Sequence, residues 1–127
     1  MNKYLFNLFK AIIALSLLDF IYLKSTGNIY SKLINKIQNT PLQLRFYSAI
    51  IVYILIFIMW VVFIYNNKDN YSLKENIGRA FLLGATTYGI YDFTNYAIFK
   101  NWTLPISIMD MIWGGILYSI VTVVAIY

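Results

Sequence analysis

Residues 46–65 read FYSAIIVYILIFIMWVVFIY, an apolar run without a single charged side chain. A helix of about 20 such residues rises about 30 Å, the thickness of a bilayer's hydrocarbon core. A helix apolar on every face must be covered on every face, by protein or by lipid. With so few charged residues in the chain, lipid is the expected cover. Working outward from this run, three further segments reach spanning length. Residues 4–23 carry Asn7, Lys10 and Asp19; residues 77–99 carry Arg79 near the start and Asp92 and Asn95 near the end; residues 104–127 carry one charge, Asp110.

The composition agrees. The chain is 61% hydrophobic and 12% charged, with mean hydropathy +0.67, whereas a soluble domain carries roughly 25% charged residues. The net charge of +5 does not point to nucleic acid, because the Lys and Arg residues stand singly at the ends of apolar segments. That is the flanking pattern of a membrane protein, and no nucleic-acid partner is expected. There is no Cys and no His, which excludes disulfides, thiolate and imidazole catalysis, the usual zinc sites and the common haem ligands. No metal centre and no cofactor are expected, and no catalytic residue is assigned.

The connections carry helix punctuation. Ser72 and Glu75 form an S-x-x-E capping box, so the third helix starts before its apolar part. Thr103 followed by Pro105 suits the start of the fourth. Between the first two spans, Ile29, Leu33 and Ile37 recur every four residues with Lys32 and Lys36 among them, a pattern that predicts a short interfacial helix ended by Thr40-Pro41. Asp19 inside the first apolar stretch, with no small-x-small site after it, favours a retained helix over a cleaved signal peptide. The expectation is one integral membrane domain over residues 1–127: all-α, a four-helix transmembrane bundle with that interfacial helix, both termini on one side. Basic residues divide almost evenly between the two sides, so the positive-inside rule sets no orientation.

Three acids inside the spans carry the functional argument. Each costs about 2.5–3.5 kcal/mol at a helix centre on the insertion scale. Asp19 lies near the end of span one, Asp92 near the end of span three, and Asp110 near the start of span four. Those helix ends share a side, so all three acids fall roughly 6–10 Å below one surface. Arg45, which opens span two at that surface, is the expected counter-charge. Tyr88, Asp92 and Asn95 lie on one stripe of the third helix, extended by Gly84 and Ala80, whose spacing admits a close helix neighbour. Asp110, Trp113 and Gly114 share a face of the fourth, and Ser16, Asp19 and Tyr22 a face of the first. Tyr88 and Tyr91 are candidate pocket walls. A carboxylate-lined pocket near one membrane face is expected, formed by Asp19, Asp92, Asn95, Asp110, Tyr88, Tyr91, Trp113 and Arg45.

The stretch from Gly84 to Gly115, GATTYGIYDFTNYAIFKNWTLPISIMDMIWGG, resembles a family of small bacterial integral membrane proteins catalogued only as a domain of unknown function. The family pattern is a Y-D-L-T-N stretch, then a Trp, then V-D-x-x-W-G. Here it corresponds to Tyr91-Asp92-Phe93-Thr94-Asn95, Trp102 and Met109-Asp110-Met111-Ile112-Trp113-Gly114. Leu18-Asp19 and Leu23 extend the likeness into the N-terminal half, with Tyr22 where the family usually has Trp. The resemblance implies a four-helix membrane fold and marks the same acids, but implies no activity.

Three classes of function fit. A transport or channel protein binds a proton or cation in the pocket; with so few helices for a pathway it forms a homo-oligomer. Alternatively, a lipid-binding or lipid-modifying enzyme or helper uses two acids for acid–base work on a lipid entering laterally. An assembly protein uses the acids only to lock its helices. The first is favoured, and an enzyme is not. Intramembrane aspartyl proteolysis is disfavoured because Ser107-Ile108-Met109 replaces the G-x-G expected before the second Asp.

Overall fold

The structure, a computed structural model, describes residues 2–127. It is all helical: α1 runs Lys3–Gln38, α2 Phe46–Phe63, α3 Leu73–Ile98 and α4 Leu104–Ile126, with a 3-10 turn over Tyr65–Asn70 after α2. Three helices, α1, α2 with its 3-10 extension, and α4, are long and apolar enough to cross a membrane. The caps are as the sequence predicts. Ser72 and Glu75 exchange both capping-box hydrogen bonds at 3.2 Å, and these bonds hold the Glu75 carboxyl below its ordinary range. Thr103 caps α4 by accepting from the Ile106 N–H at 3.4 Å, with Pro105 in the first turn.

The separate interfacial helix expected between the first two spans does not form. Its residues are the last turns of α1, a single helix of 36 residues, about 54 Å long at 1.5 Å per residue. Nothing between Lys24 and Asn28 stops a helix. No glycine takes a positive φ, so Gly27 stays in helical register, and the Thr26 hydroxyl bonds back to the Tyr22 carbonyl at 2.8 Å. The stop comes at Asn39, left-handed at φ 61, just before Pro41 excludes further helix.

Packing is uneven. α3 and α4 are the closest pair, α1 lies along α4, and α2 touches the others lightly. The α3–α4 approach needs two glycines: a Cβ on Gly84 would run into the Gly114 carbonyl, and one on Gly114 would lie 2.5 Å from the Tyr88 ring. Most of α2 faces outward, with Phe46 74% and Tyr47 68% exposed, as suits a helix surrounded by lipid. Polar ties hold it in place: the Trp60 indole N–H donates to the Thr122 hydroxyl at 2.9 Å, and the Tyr118 hydroxyl donates to the Ile56 carbonyl. At the far end the Asn7 amide donates to the Tyr65 hydroxyl at 3.1 Å, and the Asn76 amide to the Tyr127 hydroxyl at 2.9 Å.

The glycine contact makes a paired test. Gly84→Ala is expected to destabilise the protein by roughly 1–3 kcal/mol through overpacking. Gly78→Ala, where an added Cβ meets nothing within 4 Å, should be neutral or stabilise by up to about 1 kcal/mol through helix propensity. Unfolding midpoints in mixed micelles give both values, and equal midpoints for the two variants would refute the close approach.

Candidate functional site

Asp19, Asp92 and Asp110 are all buried. Their depth follows from the helix register. Asp92 lies six residues before the end of α3 and Asp110 six after the start of α4, so each sits about 9 Å inside its helix end. Their surroundings differ sharply.

Asp19 is saturated. Its Oδ2 accepts from the Tyr53 hydroxyl at 2.7 Å, and its Oδ1 accepts from the Tyr88 hydroxyl at 3.1 Å and the Trp113 indole N–H at 3.0 Å. Those donors come from α2, α3 and α4, so one carboxylate of α1 gathers every other helix. Asp110 is half supplied. Its Oδ1 accepts from the Tyr22 hydroxyl at 3.1 Å and the Tyr30 hydroxyl at 3.0 Å, and these two hydroxyls lie 3.2 Å apart. The Tyr22 ring stacks on Trp113 with centroids 4.7 Å apart and 8° between planes, which joins the two acid sites through one aromatic pair.

Asp92 has no donor. It is 0% exposed, and neither carboxylate oxygen receives a hydrogen bond from any described residue. Its ionisable neighbour is the Asp110 carboxyl, which as a carboxylate has no proton to donate. The one ion pair among the described residues, Lys68 with Asp69 at 3.7 Å, lies at the opposite end of the bundle. The acid layer therefore contains two neighbouring carboxyl groups and, among the described residues, no cation paired with them.

The other candidate residues are placed as follows. Tyr88 and Trp113 reach Asp19 rather than Asp92 or Asp110. Asn95 lies beside the Tyr91 hydroxyl and makes no hydrogen bond to the acids, while Tyr91 is more than half exposed and stands edge-on to Trp102 at 6.0 Å. Arg45 is exposed and pairs with none of the three acids. Two contributors escaped the sequence reading, Tyr30 and Tyr53. Tyr53 sits seven residues into α2, about 10 Å deep, so the depth count applied to the acids would have found it. Tyr30 is two helical turns beyond Tyr22 and becomes visible only once α1 is continuous.

These features define a multi-pass helical membrane protein with a buried layer of aspartates, fed almost entirely by tyrosine and tryptophan donors. The chain belongs to the family described as predicted membrane protein (DUF2177), which it matches over residues 4–127. No curated protein matches it, and no solved structure does.

The arrangement ranks the acids by structural weight. Tyr53→Phe removes one hydrogen bond to Asp19 and is expected to cost about 1 kcal/mol. Asp19→Ala leaves three donors without an acceptor and should cost several times as much. Chemical unfolding in micelles measures both, and an Asp19→Ala cost no larger than that of Tyr53→Phe would show that Asp19 does not hold the helices together.

Proposed function

We propose that this protein binds a proton, or a small cation in its place, between Asp92 and Asp110 and exchanges it with one face of the membrane. The observation that carries the reading is the fully buried Asp92 carboxyl without a donor, set against Asp110. An unpaired carboxylate away from water is strongly disfavoured. One proton between two carboxyl oxygens removes a charge and supplies the missing donor at once, as in other paired-carboxyl sites. A small hard cation has the same effect through oxygen ligands. A multidentate metal is a poorer fit, since no group of three or more His, Cys, Asp or Glu side chains clusters among the described residues.

The Tyr22 and Tyr30 hydroxyls extend the chain from Asp110 toward the C-terminal half of α1. Each hydroxyl both donates and accepts, so the pair makes a relay from the carboxyls to the headgroup level. The walls of such a path are thin in one copy of the chain, so a homo-oligomer belongs to the reading.

A helper acting on lipid is the second reading, and one observation favours it. An open, mostly apolar cleft of about 310 Å³ lies against the stacked Tyr22–Trp113 pair and faces outward between α1 and α4. A lipid tail entering there would meet the aromatic pair that touches both acid sites.

Asp92→Asn separates these readings from a purely structural role. It keeps the side chain's size and brings its own donor, so the variant should insert and fold. Proton uptake into liposomes under an imposed pH gradient should be present for wild type and lost in Asp92→Asn at equal protein density. Infrared difference spectra should show a protonated-carboxyl C=O band that the variant lacks. Wild-type uptake equal to empty liposomes, with no such band, would sink the proton reading and leave lipid co-purification as the next measurement.

The same proposal has α3 crossing the bilayer as a fourth span despite its polar residues. Its support is the packing of α3 against α4, with Asp92 and Asn76 turned inward. Reporter tags at the two termini should then report the same side, and opposite sides would refute a fourth crossing.

A further inference from the structure

A hollow of about 650 Å³ lies between the C-terminal end of α1 and the first turns of α2, lined by none of the three acids or their donors. Gln38, Thr40, Gln43, Arg45, Ser48 and Val52 line it. The Gln38 amide donates to the carbonyls of Thr40 at 3.2 Å and Pro41 at 3.0 Å, fixing the connection as one wall. Arg45 is exposed and makes no ion pair. It stands immediately before the charge-free run of α2, at the level of the lipid headgroups.

Charge at this end of the molecule is one-sided. Lys24, Lys32, Lys36 and Lys100, on the C-terminal half of α1 and between α3 and α4, are exposed, as is Arg45, while the acids of this half, Asp19, Asp92 and Asp110, are all buried. The remaining acids, Asp69 and Glu75, lie at the opposite end, before and in the first turn of α3. The lining of the hollow thus presents one cation, Arg45, and no carboxylate, at an end of the molecule whose exposed charges are all basic. Just past Arg45, the outward Phe46 and Tyr47 begin an apolar face long enough for acyl chains.

We infer that this hollow is a binding site for the headgroup of an anionic phospholipid. The Arg45 guanidinium matches two phosphodiester oxygens with two parallel hydrogen bonds, a geometry a lysine cannot copy. The Gln43 amide and Ser48 hydroxyl supply partners for headgroup hydroxyls, and the acyl chains run down α2. A zwitterionic lipid brings its own cation toward Arg45 and the lysines, so the site discriminates by headgroup charge. The inference is independent of the proton reading, since no residue is shared.

The test uses the full chain in detergent, with native mass spectrometry of retained lipid. The probes are phosphatidylglycerol, phosphatidylcholine with the same acyl chains, and inorganic phosphate. Wild type should retain phosphatidylglycerol about tenfold over phosphatidylcholine, the scale of one set of charge-assisted hydrogen bonds. Arg45→Gln should bring that ratio close to one, and Arg45→Lys should fall between. Lys3→Gln removes the same charge at the opposite end and should leave the ratio unchanged. Ser48→Phe fills the hollow while keeping Arg45, and should also abolish the preference. Equal retention of the two lipids by wild type, an undiminished ratio in Arg45→Gln, or an equal loss in Lys3→Gln would each overturn the assignment. So would displacement of the lipid by inorganic phosphate, which would mark a soluble-anion site instead.

Discussion

The carboxylate of Asp19 receives a hydrogen bond from each of the three other helices, through Tyr53, Tyr88 and Trp113. Inside a bilayer the hydrophobic effect does not draw helices together, because lipid tails are as apolar as leucine side chains. What remains is close packing and the need of polar groups for partners. An acid in that setting strongly favours any arrangement that brings donors to it. Each donor here sits on an aromatic ring, which brings apolar surface into the contact along with the hydrogen bond. The consequence is largest for α2, whose backbone touches the other helices least. Its position relies on Tyr53 at Asp19, Trp60 at Thr122 and the Tyr118 hydroxyl at the Ile56 carbonyl.

The glycine contact and the Asp19 cluster are parts of one device. A Cβ on Gly114 would collide with the ring of Tyr88, the side chain whose hydroxyl reaches Asp19. The missing side chain therefore gives Tyr88 its path across α4. Trp113, the residue before Gly114, turns toward α1 and donates to the same oxygen of Asp19. Neighbouring positions on α4 thus set its spacing from α3 and its register against α1. Sliding either helix by one residue would break both.

Much of this was legible in the sequence because depth in a membrane is a residue count. Counting from helix ends at 1.5 Å per residue puts Asp19, Asp92 and Asp110 in one layer without any knowledge of packing. The capping box at Ser72 and the Pro105 start are local signals, and local signals survive folding. Which oxygen meets which donor depends on rotation about each helix axis, and the evenly apolar α2 gives no sign of its rotation. Depth alone puts Tyr53 level with the acids, but that it faces Asp19 is not legible for that reason. The continuity of α1 was hidden for another: Lys24 reads as the end of a span, but a charge ends the apolar stretch, not the helix. Arg45 was expected to neutralise the acids from the surface, yet an arginine at the interface has lipid phosphate and water available, and the structure turns it outward.

That outward turn decides how the three acids differ. The donors in the layer are tyrosine hydroxyls and one indole N–H, all neutral, so they stabilise a negative charge but do not cancel it. Asp19, with three of them, is well served as a carboxylate. Asp110 has two on one oxygen and has Asp92 as a neighbour. No described residue reaches Asp92 with a proton. A structural tie is saturated by its own fold, and Asp19 meets that description. Asp92 is the opposite case, a buried carboxyl that the described residues leave without a donor, beside a second carboxyl that is itself joined to two hydroxyls. Asp92 and Asp110, not the most heavily bonded acid of the three, are therefore the pair whose hydrogen bonding the described residues leave incomplete.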